Sequence, residues 1–235
     1  MATQIESFIF GTTSTNLPIP AYHFGMAGAP KVLILGGVHG DEIEGVWAAH
    51  GLLAAFATDF PYRLDLTLVP AFNLDGVLAR ERRNARGVDL NRNLPSNDWT
   101  SEAATERYNP GPSACSEPEN IALVQFCEHS KPAFILSLHS WKPMLNINGD
   151  CRAEAEAIHR RTGYVIEESI GYPTPGCLGT YAGLERAMPT LTYEIERGLD
   201  QASILKIHIP AIQEALVVAQ SRSANLAGGV EYAKR

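Results

Sequence analysis

The run KVLILGG (31–37) is apolar at successive positions after Lys31 and passes through Val38 into HGDEIEG. A strand that is apolar at every position, rather than at alternate ones, needs cover on both faces. That restricts the chain to an architecture with layers on either side of a sheet. The covers follow in the sequence. IEGVWAAHGLLAAFA (43–57) carries apolar residues at helical spacing, and SEPENIALVQFCEHS (116–130) reads as a helix opened by a serine cap at Ser116. RLDLTLVPAFN (63–73), AFILSLHS (133–140) and MPTLTYEIE (188–196) read as strands, with a shorter one over 163–169. Helices are expected near 152–162 and 201–220, and the segment 74–116, rich in Arg, Asn, Pro and Gly, as a long functional loop. The alternation predicts one α/β domain, a mostly parallel mixed sheet with helices on both faces. No repeat or linker-like composition divides the 235 residues.

With 45% hydrophobic residues the chain can bury a core without staples. Its four cysteines form no C-x-x-C pair and are expected to be reduced and structural. A net charge of −7 excludes a dedicated nucleic-acid or anionic-membrane surface, although Arg80 to Arg86 form a local positive cluster. No export signal or bilayer-spanning segment is expected, which predicts a cytoplasmic protein. Nothing in the pattern sets an oligomeric state.

His39 follows the first of these strands, His139 ends another, and Glu194 lies near the end of a third. In open α/β sheets the ligand crevice lies beyond the carboxyl ends of the strands. Each residue alone fits a polar loop or a strand-end charge. Three on one sheet edge, with Glu42 spaced H-x-x-E from His39, suggest a metal centre. His39, Glu42 and His139 supply three ligands and leave a position open, with Glu194 as a free carboxylate beside it. GVDLNRN (87–93) adds a dense set of donors around one acid. His23, His50, His129, His159 and His208 lack an acidic or cysteine partner at ligand spacing. Those on the predicted helices, His50, His129 and His159, are expected at the surface. Trp141 is expected to line a pocket and Trp47 to lie in the core.

GGVHGDEIEG, RNARGVDLNRNLP, SLHSW and TYEIERG resemble, in order and spacing, the signature blocks of the zinc carboxypeptidase family, from about residue 31 to 198. The resemblance implies one zinc ion held by His39, Glu42 and His139, with Glu194 as the general base that activates the attacking water. It implies further that Asn91 and Arg92 grip the substrate's terminal carboxylate, that Arg82 or Arg83 polarises the scissile carbonyl, and that Asp89 orients His39. Tyr172 falls where the family carries a mobile tyrosine. VDLNRN, SEPE and IGYPTPGCLG (170–179) are most similar to short bacterial members acting on murein peptides. That implies a small peptide substrate, murein tripeptide, cut at its γ-D-glutamyl–meso-diaminopimelate bond during cell-wall recycling. A zinc deacylase of N-acyl amino acids, of the aspartoacylase or succinylglutamate desuccinylase type, shares the same ligand set. A binding module with a dead site is a third reading, opposed by the intact quartet. The first 30 residues lie outside the blocks and are expected to shape the mouth of the cleft.

Overall fold

The computed structural model describes the backbone of residues 5–231 and the side chains of residues 5–220. Eight strands form one mixed sheet: β1 (Glu6–Thr12), β2 (Pro18–Gly25), β3 (Lys31–Gly36), β4 (Asp65–Val69), β5 (Phe134–Trp141), β6 (Met144–Asn148), β7 (Val165–Glu167) and β8 (Thr190–Glu196). Their order across the sheet is β1-β2-β4-β3-β5-β8-β6-β7. The middle, β4-β3-β5-β8, is parallel, and antiparallel pairings join β1 to β2, β2 to β4 and β6 to β8. The helices are α1 (Ile43–Thr58), α2 (Leu74–Ala79), α3 (Pro118–Ser130), α4 (Arg152–Thr162) and α5 (Gln201–Glu231).

The continuous apolar run behaves as its pattern requires. Val32 and Ile34 face a core built with Ala48 and Leu52 of α1, Ile158 of α4 and Ile212 of α5. Leu33 and Leu35 face a second core with Leu123 and Cys127 of α3. All four strand residues are at most 2% exposed, so both faces are sealed. Of the described helices, α5 is long and apolar enough to cross a bilayer. Its Ile204, Ile212, Ala215 and Leu216 are instead fully buried in the first core.

Several elements differ from the expectation. The strand read over 63–73 is confined to 65–69, because Pro70 cannot donate to a ladder and the chain turns into α2. The segment 74–116 holds α2 and two 3-10 turns, Leu90–Arg92 and Glu106–Tyr108. Ser116 does not cap α3, which begins at Pro118 after Glu117. Its hydroxyl bonds to Glu117 and accepts from Asn93, and proline's fixed φ suits the first helical position. Residues 5–30 do not line the cleft. They form a hairpin that extends the far edge of the sheet beside β4. His23, read as unpartnered, lies 3.0 Å from Asp65 across that edge. Trp47 is only partly buried, against the first core. His50, His129 and His159 are exposed as expected.

His208 of α5 is buried, and its Nδ1 lies 2.5 Å from the Tyr193 hydroxyl oxygen. Burial pushes its pKa down to about 4. The folded chain therefore keeps the ring neutral where the unfolded chain takes up a proton, below about pH 6.5. This contribution to stability is intact above that pH and is lost as the pH falls towards 4. Denaturant unfolding at pH 7 and pH 4.5 should show the wild type losing about 2–3 kcal/mol more than His208→Gln, which does not titrate. Equal losses would show that His208 is not the group responsible.

Candidate metal centre

Gly37, at φ +65°, turns the chain out of β3 in a conformation that side-chain-bearing residues rarely adopt, and delivers His39 two residues later. Glu42 precedes the first turn of α1, which lies directly on β5. A methyl group at Gly45 would sit 2.5 Å from the Leu138 carbonyl oxygen. That close approach brings Glu42 against His139. His39, Glu42 and His139 are 3%, 4% and 2% exposed, and one ligand atom from each lies within 4.8 Å of the others.

Their orientation tests the fit to a metal. His39 Nε2 lies 3.1 Å from Asp89 Oδ1, and His139 Nε2 lies 2.9 Å from Ser137 Oγ. Protonation of both Nε2 atoms toward these acceptors frees both Nδ1 lone pairs. The two Nδ1 atoms are 3.1 Å apart, and each is 2.9 Å from a Glu42 oxygen. Electron pairs converging this closely, away from water, are suited to share a cation. Two imidazoles and one carboxylate are a donor set that suits zinc. The surroundings also favour positive charge on His39, whose pKa is raised. Burial and Arg82 oppose its charge, and Glu42 and Asp89 outweigh them. Against the burial that would raise them, His39 with His139 holds Glu42 well below the usual carboxylate range, and His39 with Arg82 does the same for Asp89.

Asp89 is fully buried and fixes the arrangement. Besides His39 it accepts from Arg82 Nε at 2.9 Å, with Arg82 Nη2 ion-paired 2.9 Å from the same oxygen, and from the backbone N–H of Asn91 at 2.9 Å. Arg82, so anchored, carries Nη1 to 3.2 Å from both Glu42 Oε1 and His39 Nδ1. Arg83 instead bonds Glu106 on the exposed side of the loop. The geometry therefore separates two arginines that spacing left equivalent.

Glu194 faces the same cavity from β8, paired in register with His139. It is 8% exposed, and its Oε2 is buried without a hydrogen-bond partner. Burial pushes its pKa up to about 7, with Glu42 adding and His139 and Arg82 opposing. Asn91 spends its side-chain oxygen on the backbone N–H of Leu178, at 2.9 Å, leaving its amide nitrogen for a ligand. Arg92 donates through Nη1 to the Asn91 carbonyl at 2.6 Å and lies 5.2 Å from the centre of the Tyr108 ring. Tyr172 closes the rim, 6.0 Å from Trp141 and 6.3 Å from Tyr108 between ring centres.

Seven of the nine residues singled out from the sequence thus line one cavity, while His139 sits against His39 and Glu42 and Asp89 supports His39 from behind. Sequence reading missed Tyr108, Arg107, Arg197, Asn146, Asn148 and Thr192, which also line it. Asn146 and Asn148 had a readable signal, two amides at alternate positions of the otherwise apolar MLNIN. Tyr108 had none, because only the fold brings its loop over the cavity.

Comparison with known proteins agrees with this geometry. The chain is 31% identical over 184 residues to murein peptide amidase A of Escherichia coli strain K12, covering 73% of this chain and 74% of that protein. It is 27% identical over 222 residues to murein peptide amidase A of Vibrio campbellii, covering 86% and 87%. The solved murein-tripeptide amidase of Escherichia coli O157 superposes with a TM-score of 0.73 at 25% identity, over 89% of this chain and 91% of that one. The model of the zinc carboxypeptidase family matches residues 3–195. With that match and the geometry around His39, Glu42 and His139, the chain belongs to the zinc carboxypeptidase family.

Proposed function

We propose that this chain is an amidase with one zinc ion that cuts the γ-D-glutamyl–meso-diaminopimelate bond of murein tripeptide, in the cytoplasm, as a step of cell-wall recycling. The observation that carries the reading is the convergence of His39, Glu42 and His139 beside a buried, unpartnered Glu194 carboxylate oxygen. The names of the relatives support the murein peptide. The four cysteines are all free, which supports a reducing compartment.

Zinc, when bound, supplies Lewis acidity to the scissile carbonyl and to the attacking water. Glu194 takes the proton from that water and delivers it to the leaving amine, its buried, unpartnered oxygen being placed for both transfers. The Arg82 guanidinium, rigidly held by Asp89, faces the oxygen on which negative charge develops. Arg92 and Asn91 hold the substrate's terminal carboxylate, Arg92 through its planar fork and Asn91 through its free amide nitrogen. Tyr172 covers the bound peptide.

Purified protein should release diaminopimelate from the tripeptide faster than it hydrolyses N-acetylaspartate or N-succinylglutamate, and a chelator should stop the release. Preference for the acyl amino acids would replace the amidase reading with the deacylase one. Arg92→Ala should raise KM about tenfold or more with a smaller fall in kcat, because a charge-assisted binding contact is lost. Steady-state kinetics giving an unchanged KM would remove Arg92 from carboxylate binding.

A further inference from the structure

Glu44 is the third acid of HGDEIEG, and the metal centre described above gives it no task. It lies in the first turn of α1 and is 4% exposed. An acid in a first helical turn ordinarily answers the helix dipole from the surface. This one is buried and directs both oxygens at other segments. Oε2 accepts from the Ser140 hydroxyl at 2.6 Å, and Oε1 accepts from the backbone N–H of Gly198 at 2.7 Å. Both partners are neutral, so no ion pair among the described residues offsets the burial of its charge. A carboxylate held in that way is unfavourable for stability by itself. Its use lies in what it joins.

Both partners belong to segments that carry the chemistry. Ser140 follows His139 in β5, and its backbone N–H donates to Glu42 Oε2 at 3.2 Å. Gly198 lies in the turn that leaves β8, four residues beyond Glu194, and holds φ at +91°. Arg197 pins that turn from the other side. Its N–H donates to the Trp141 carbonyl at 3.0 Å. Its guanidinium donates to the Asp41 carbonyl at 2.5 Å and pairs with the Asp41 carboxylate at 3.1 Å. Chain and hydrogen bonds together close a ring through Asp41, Arg197, Gly198, Glu44, Ser140 and Glu42. The entry to α1, the end of β5 and the exit from β8 all meet in it.

Resting on the one-zinc part of the proposed reading, we infer that Glu44 is a positioning residue that sets the aim of Glu42 at the metal by way of Ser140. The Gly198 N–H fixes one oxygen of Glu44, so the other holds Ser140 at a set distance from the helix. The Ser140 N–H in turn holds Glu42 Oε2. A ligand left free to rotate must be ordered when the metal arrives, which weakens binding. Loss of a residue directly behind a metal ligand lowers affinity about 10–100-fold. Glu44 stands one residue further back, at the lower end of that range.

Competition with a chromophoric chelator reads zinc affinity without turnover, so the result does not depend on which amide the protein cuts. Glu44→Ala should bind zinc about tenfold more weakly than the wild type, and Ser140→Ala equally so. The double variant should stay within about twofold of either single one, because both changes cut the same tether. Glu44→Gln should stay within about threefold of the wild type, since its carbonyl can accept from Gly198 and its amide nitrogen can donate to the Ser140 oxygen. If Glu44→Ala does not fold, Ser140→Ala and Glu44→Gln still decide. Unchanged affinity in Ser140→Ala, losses that multiply in the double variant, or a Glu44→Gln as weak as Glu44→Ala would overturn the assignment. So would metal-free variants that unfold at lower urea while their zinc affinity is unchanged, which would make Glu44 an acid of the fold alone. Wild-type affinity no higher than that of His39→Ala would instead refute the metal centre.

Discussion

Glu194→Gln lowers kcat on the tripeptide by about 10³–10⁴-fold, with zinc content and fold retained. Glutamine keeps the shape of the side chain, so the packing of β8 against β5 and β6 has no reason to change. What it removes is, among the described residues, the only uncommitted carboxylate in the cavity. Glu42 and Asp89 are engaged with the two histidines and Arg82, and Asp41 is paired with Arg107 and Arg197. Among the described residues no other acid is placed to take the proton from water. The loss should fall on kcat while KM stays within a few-fold, because the contacts proposed for binding lie on Arg92 and Asn91. Kinetics with metal analysis on the same preparation reads both parts. A variant within tenfold of the wild-type kcat would remove Glu194 from its role.

Asp89→Asn weakens zinc binding by about 10–100-fold, the usual cost of removing the partner of a metal-binding histidine. It also lowers stability, by about 3–5 kcal/mol if the buried Arg82 is left without compensation. Asp89 accepts from three different residues with no exposure to water. An amide can accept on one oxygen only and turns its nitrogen toward His39 or the guanidinium, both of which are donors. Competition with a chromophoric chelator measures the first effect, and urea unfolding of the metal-free protein measures the second. If affinity is unchanged while stability falls, Asp89 serves the fold and not the metal.

The parts of the fold that could be read in advance were those with a single physical cause. KVLILGG declared its two-sided burial, and HGDE, SLHS and TYEIE declared a common edge because each ends an apolar strand. What escaped was set by partners distant in sequence. The hairpin of β1 and β2 has no continuous apolar run, since it is an edge ribbon with one face exposed. β6 is short and half amide, which disguises a strand whose other face is core. The loop from 74 to 116 has no period because its shape is set by tertiary hydrogen bonds. Asn93 and Asn120, for example, bond backbone carbonyls 17 and 30 residues away. Arg82 and Arg83 could not be told apart until Asp89 was seen to hold one and Glu106 the other.

The most direct test is the anomalous diffraction peak in crystals of the zinc-loaded, tripeptide-cleaving protein. One peak per chain is expected, about 2.0–2.2 Å from His39 Nδ1, His139 Nδ1 and a Glu42 oxygen. An active preparation whose zinc lies elsewhere, or that carries none at these three residues, would contradict the account.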